Sequence, residues 1–218
     1  MTTSHYRDQL TDQPLPFHVD SDTLLHEGFR DFRVATLRHA RLDGEGEIGP
    51  IDREYLATGH VATIIPYDPD RDAIVVIRQF RFAAALQTAN AAALELPAGI
   101  VDPGESIEAA AARELTEETS LVPRAIEACF RMLPAPGLTT EHATIFLAIV
   151  DAGELTDAAG KADEHEDIRP ILAPVDDLVA AVDEGRVENG YLIACTHWFA
   201  RKGRARAQAL LGTIDIRD

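Results

Sequence analysis

Gly99–Leu121 reads G-I-V-D-P-G-E-S-I-E-A-A-A-A-R-E-L-T-E-E-T-S-L, and this stretch decides both the fold and the chemistry. It predicts a short helix, entered from a Gly/Pro-containing loop, that carries Arg113, Glu114, Glu117 and Glu118. Glu114 and Glu118 stand i,i+4, one turn apart on the same face. Glu117 falls within the same arc of roughly 100°, given the 3.6-residue repeat. Like charges at that spacing destabilise an isolated helix by about 0.2–0.5 kcal/mol per pair. Two readings account for them: a solvated acidic face, or a cluster of hard oxygen ligands for Mg²⁺ or Mn²⁺.

Working outward, the chain of 218 residues fits one sizeable domain, or one domain with an N-terminal extension. A hydrophobic content of 46% supplies a real core. The net charge of −17 leaves no basic footprint, which argues against nonspecific binding to nucleic acid or anionic membranes. A polyanionic substrate would need metal ions and local arginines to offset that field. Cys129 and Cys195 lie in apolar contexts and read as buried free thiols of a reducing, cytoplasmic compartment. The N-terminus lacks an apolar signal region, and no run approaches 18 apolar residues, so neither secretion nor membrane spanning is expected.

Residues 1–20 are polar and read as an irregular arm. Strands are expected within 29–42 and near 53–55, then at 61–66 and 73–78 around the turn Y-D-P-D-R-D. A short apolar stretch at 94–96 leads into the helix segment. Apolar runs at 125–133 and 143–150 follow, then an acidic loop over 151–167 and a last strand at 168–172. Helices are expected at 175–184, stopped by Gly185, and at roughly 189–202, with Arg201 and Lys202 suiting its C-terminal end. Strands dominate the middle, with one helix inserted and two at the end, which is neither a regular βαβ array nor an all-β sandwich.

Gly99–Leu121 resembles the Nudix box, G-x5-E-x7-R-E-U-x-E-E-x-G-U with U aliphatic. Gly99, Glu105, Arg113, Glu114, Leu115, Glu117, Glu118 and Leu121 match in register, and Ser120 replaces the second glycine. A glycine there often supplies a left-handed helix C-cap, so Ser120 is expected to strain or reshape the helix exit and leave the carboxylates in place. The flanks L-E-L-P-A-G and P-A-P-G-L-T-T-E, with Pro136 15 residues beyond Leu121, look like the ADP-ribose pyrophosphatase branch. The A-D-E-H-E-D-I-R and E-G-R-V-E-N segments are similar to that branch as well. The resemblance implies an α/β fold, a Nudix α/β/α sandwich around a mixed sheet with a small N-terminal β subdomain. The expected division is 1–57 for the arm and β subdomain, 58–205 for the hydrolase domain and 206–218 for a C-terminal tail.

The resemblance also implies roles. Glu114, Glu117, Glu118 and the carbonyl of Ala98 would hold Mg²⁺, or Mn²⁺, with Glu166 as a further ligand. Glu118 would be the most central, and Glu117 could instead orient the others. Arg113 would hold the carboxylates in place through Glu117 or Glu105, with Glu105 tying the loop to the helix. Glu164 matches the general base, although Glu164 and Glu166 could exchange roles. Arg81 and Arg53 would grip substrate, since a guanidinium offers forked hydrogen bonds to phosphate. Glu141 would bind the terminal ribose or the adenosine side, and Phe29 either stacks on adenine or belongs to the core. His60 and His165 read as structural or exposed.

The activity implied is metal-dependent hydrolysis of the diphosphate of ADP-ribose to AMP and ribose 5-phosphate. A second reading keeps the chemistry and changes the nucleoside diphosphate sugar, as for GDP-mannose. A third is a non-catalytic ADP-ribose sensor, but similar regulators usually carry damaged carboxylates and a basic winged-helix extension. Similar enzymes are homodimers in which the N-terminal subdomain exchanges, and a small sheet alone would leave open edges, so a homodimer is expected.

Overall fold

Val61–Ile65 and Ala73–Ile77 are almost unbroken apolar runs, the pattern of strands covered on both faces. The computed structural model, which describes residues 10–160 and 167–214, places them at the centre of a mixed sheet. The chain divides into two compact units. The first runs to Thr58 and includes Gly137–Thr140, and the second comprises Gly59–Pro136 and everything from Glu141 onward.

In the first unit, β1 (Phe17–His26), β2 (Asp31–Ala40) and β3 (Glu47–Ala57) form an antiparallel sheet in that order. β1 falls partly in the stretch expected to be an irregular arm. Its sequence, F-H-V-D-S-D-T-L-L-H, is exposed along its whole length, so it lacks the alternation that marks a half-buried strand. It is held by pairing to β2 and by ion pairs such as Arg33–Asp22 and Arg38–Asp20. The Gly137–Thr140 segment joins this unit through Leu56, whose N–H donates to the Leu138 carbonyl at 2.9 Å.

In the second unit the strands are β4 (His60–Asp68), β5 (Ala73–Phe80), β6 (Ala92–Glu95), β7 (Ala98–Ile100), β8 (Ala125–Met132), β9 (His142–Ile149) and β10 (Arg169–Pro174). The sheet runs β10-β5-β4-β9-β8, with β6 on β5 and β7 on β4. β4 and β9 are parallel, and the other pairs are antiparallel. A four-residue helix α1 (Phe82–Ala85) follows β5, and α2 (Ile107–Thr119) is the helix of the box segment. At the end come α3 (Val175–Asp183), α4 (Gly190–Trp198), a π-helical turn over Phe199–Gly203, and α5 (Arg204–Ile214).

Side-chain alternation along β4 and β9 builds two cores, one on each face of the sheet. Val61, Ile65, Ile145 and Leu147 meet Leu178, Leu192, Phe199 and Leu210 from the C-terminal helices. Ala62, Ile64, Phe146 and Ala148 meet Ala110, Ala111 and Leu115 of α2. The result is an α/β/α sandwich. Residues 206–214, expected within a tail, are helical instead, with Ala207 and Leu210 in the first of these cores. Gly203 makes that continuation possible, because a Cβ there would stand 2.1 Å from the Phe199 ring. Both cysteines are free thiols, and burial pushes the Cys195 thiol up to about 12.

At the exit of α2, Ser120 keeps the left-handed cap, with φ 61° and ψ 9°, and its N–H donates to the Thr116 carbonyl at 2.8 Å. The exit is strained, and its shape is retained. A non-glycine residue in that region costs about 1–2 kcal/mol, while a glycine loses more chain entropy on folding. Ser120 gains little in exchange, since its contact with the Thr156 hydroxyl is long at 3.4 Å. Ser120→Gly is therefore expected to stabilise the protein by about 0.5–1 kcal/mol, read as a rise in Tm of roughly 1–4 °C.

Candidate active site

The sequence from Glu95 to Gly99, E-L-P-A-G, crosses the sheet as a narrow strap on which α2 sits. Its ends are fixed by backbone pairing: Glu95 opposite Ile77, Ala98 opposite Thr63 and Gly99 opposite Ala62. Between them the Pro97 carbonyl accepts from the Ile64 N–H at 2.9 Å. Ser106 caps the start of α2, its hydroxyl accepting from the Ala109 N–H at 3.1 Å. With the start fixed there and Leu115 buried against the sheet, Glu114 and Glu118 are turned toward the strap.

Glu118 is buried, and one of its carboxylate oxygens accepts from the Ala98 N–H at 2.9 Å. Glu114 lies against the α-carbon of Gly99, where a Cβ would come within 1.9 Å of its Oε1. Gly99 has an ordinary backbone conformation, so this close approach is what calls for glycine.

Arg113 organises the rest. Its Nε and Nη2 fork onto Glu105, both at 3.0 Å. Its Nη1 donates to Glu114 at 2.7 Å and to Glu117 at 3.1 Å, and Nη2 also reaches the Ile100 carbonyl at 3.2 Å. All five guanidinium donors are thus matched to oxygen atoms. Of the two partners expected for Arg113, Glu117 and Glu105, the fold supplies both and adds Glu114. Hydrogen bonding to Glu105 and Glu114 outweighs partial burial and raises the Arg113 pKa above its ordinary value. The same bond to Arg113, opposed by desolvation, holds the Glu105 carboxyl below its ordinary 4.5. Glu105 also accepts from the Asp102 N–H at 3.2 Å, which ties the loop before α2 to the helix.

Hard carboxylate oxygens are a donor set for Mg²⁺ or Mn²⁺. Three acidic side chains near a helix C-terminus oppose the helix dipole as well as each other. A divalent cation relieves both, and the Gly99 cradle keeps Glu114 close to the strap. Among the described residues no group of three His, Cys, Asp or Glu side chains is already arranged to hold a metal ion.

A cleft of about 750 Å³ opens in the same unit, lined among others by Arg78, Arg81, Glu95, Arg186 and Asn189. Arg81 stands at its edge in extended conformation just before α1. Glu141 accepts a hydrogen bond from the Tyr191 hydroxyl of α4. Burial, followed by this bond, raises the Tyr191 pKa. Arg53 and Phe29 belong to the first unit, Arg53 on β3 with Nη1 donating to the Asp52 carbonyl at 3.0 Å. Phe29 is 89% exposed with the Arg30 guanidinium over its ring, which removes the core reading. Glu164, Glu166 and His165 lie outside the described residues. Glu95 and Tyr191 were not singled out from the sequence. The acidic residue in L-E-L-P-A-G was a usable signal for the first, and nothing local marks the second.

The NUDIX domain model matches residues 58–194. The chain belongs to the Nudix family. Among curated relatives of this Nudix protein, an ADP-ribose pyrophosphatase of Escherichia coli K12 is 33% identical over 174 residues, 80% of this chain and 83% of that protein. An ADP-ribose pyrophosphatase of Haemophilus influenzae is 30% identical over 177 residues, 80% of this chain and 81% of its own length. A GDP-mannose pyrophosphatase of Klebsiella pneumoniae is 27% identical over 190 residues, 87% of this chain and 94% of that protein. No helix among the described residues is long and apolar enough to cross a membrane.

The depressed Glu105 pKa has a consequence for pH. Stability from the Glu105–Arg113 fork is fully present above the ordinary value of 4.5 and is lost as pH falls through the lowered one. Glu105→Gln is expected to lower Tm at neutral pH. The gap from wild type should close progressively below pH 4.5, as read by thermal unfolding across a pH series.

Proposed function

We propose that this Nudix hydrolase cleaves the diphosphate of ADP-ribose with water, giving AMP and ribose 5-phosphate. The observation that carries the reading is the buried Glu118 carboxylate on the Ala98 N–H, beside Glu114 seated on Gly99. The ADP-ribose pyrophosphatases among the relatives support the choice of sugar. Glu114, Glu117 and Glu118, with the Ala98 carbonyl, would hold Mg²⁺, and the same oxygens accept Mn²⁺. Bound there, the ion supplies Lewis acidity toward the diphosphate oxygens and acidifies a water.

The remaining work belongs to the chain's own groups. Arg113 keeps Glu114 and Glu117 aligned with the cation. Arg81, on the cleft, and Arg53 grip phosphate oxygens, while Glu141 and Phe29 address the ribose and the base. Glu166 adds a ligand, and Glu164 takes the proton of the attacking water as its oxygen bonds to phosphorus and the bridging P–O bond breaks. The GDP-mannose pyrophosphatase among the relatives makes that sugar the competing substrate.

A panel of nucleoside diphosphate sugars, read as phosphate released by excess phosphatase, is expected to show the highest kcat/KM with ADP-ribose. A preference for GDP-mannose would replace the proposed substrate. Even outer partners of metal ligands are worth 10–100-fold, so Glu118→Gln is expected to cut kcat by roughly 100-fold or more. Its Tm should stay close to that of wild type, and unchanged turnover would remove Glu118 from the machinery and favour a sensor.

We also propose a homodimer joined through the N-terminal unit. Among the described residues, β1 and the part of β3 before its Leu56–Thr139 bridge are the open edges of a three-stranded sheet, and Phe17, Val19, Leu24 and Leu25 are exposed on β1. Light scattering at micromolar concentration is expected to give twice the chain mass of 23.8 kDa. A monomer mass would overturn this assembly.

A further inference from the structure

Glu95 is a buried carboxylate only three residues before Ala98, yet it is turned toward Arg81. The Nε of Arg81 donates to both Glu95 oxygens at 3.1 Å, and Nη2 donates to Oε2 at 2.7 Å. Gln79, two residues earlier on β5, adds its Nε2 to Oε2 at 3.2 Å. The Glu95 backbone is fixed by pairing opposite Ile77, so the acceptor is carried on a strand already in register. Four donor contacts commit this carboxylate to holding the guanidinium. Both side chains line the 750 Å³ cleft, with Arg81 half exposed and Glu95 nearly covered.

We infer that Glu95 is a positioning residue, which locks the Arg81 guanidinium in the cleft so that it meets the substrate diphosphate already ordered. The inference rests on the proposed reading of Arg81 as a phosphate-binding group. An arginine side chain carries considerable rotamer entropy, and a site that removes this freedom in advance binds more tightly. The Glu95 fork uses the Nε–Nη2 edge of the guanidinium. A carboxylate beside an anion site also repels the anion, so the two effects oppose each other. Arg81 offsets that charge directly, and the direction of the KM change on removing the Glu95 charge decides which effect is larger.

The strap gives the arrangement its reach. Glu95 holds the arginine, Ala98 holds Glu118 and Gly99 seats Glu114, all within five consecutive residues. The spacing between phosphate grip and metal carboxylates is thereby set by the two-residue step from β6 to β7.

The test is a double-mutant cycle with Glu95→Gln, Arg81→Lys and the pair, assayed with ADP-ribose and Mg²⁺. Glu95→Gln is expected to raise KM about 10-fold with kcat within about threefold, because uniform binding is lost and the metal carboxylates are untouched. In the Arg81→Lys background the same change should move KM less than about twofold. A merely structural Glu95 would lower kcat and Tm in both backgrounds alike, and that result overturns the inference, as does an unchanged or lowered KM. If Glu95→Gln folds poorly, Glu95→Asp, which keeps the charge and shortens the arm, carries the same comparison. Calorimetric Kd values for ADP with Mg²⁺ run the cycle without turnover, so a wild type inactive on ADP-ribose fails the proposed substrate alone. Absence of ADP binding by wild type, or equal weakening in both backgrounds, overturns the role of Glu95.

Discussion

The seating of α2 on the Glu95–Gly99 strap is the constraint from which the site follows. Glu118 is buried because the Ala98 N–H meets its carboxylate, and Glu114 comes close because Gly99 has no side chain to hold it off. A methyl group at Gly99 would displace a carboxylate oxygen by more than an ångström, since 1.9 Å is far inside contact distance. Pairing of β7 with β4 holds Ala98 and Gly99 in register, so the backbone there has little freedom to yield. The apolar face of α2, with Ala110, Ala111 and Leu115, packs on Ala62, Ile64 and Phe146 and fixes the helix against the same strands.

This arrangement concentrates negative charge where a helix tolerates it least. Glu114, Glu117 and Glu118 fall in the last two turns of α2, and its last turn holds no basic residue. Arg113 offsets part of that cost by bonding Glu105, Glu114 and Glu117 at once. Its fork to Glu105 also draws the loop before the helix into the same network. In a chain of net charge −17, Arg113 is thus matched to carboxylates on the loop and the helix at once. Arg81 on Glu95 repeats the device at the cleft.

The box segment was legible because its physical demands are local. Helical spacing places the glutamates on one face, and the register of Gly99, Glu105 and Arg113 with them identifies the family pattern. The apolar runs at 61–66, 73–78 and 143–150 were equally plain, since strands covered on both faces contain few polar residues. β1 was missed because a strand exposed on both faces has no alternation to read. α5 was missed because its hold on the core is sparse, through Ala207 and Leu210, and follows a π-helical turn that breaks the helical period. Ser120 shows the converse case, in which the fold keeps a glycine's conformation and the serine bears the strain.

By itself the sequence determined the helix that carries the carboxylates, the sandwich class and the family. Each of those depends on the order and spacing of residues along short segments. Only the tertiary structure decided that Arg113 serves three carboxylates, that Gly99 is needed for the approach of Glu114, and that Glu95 holds Arg81. It also settled that Glu141 meets Tyr191, 50 residues further along the chain. Those contacts join different strands and helices, and their distances are set by how the elements pack. A short-range pattern carries no record of that packing.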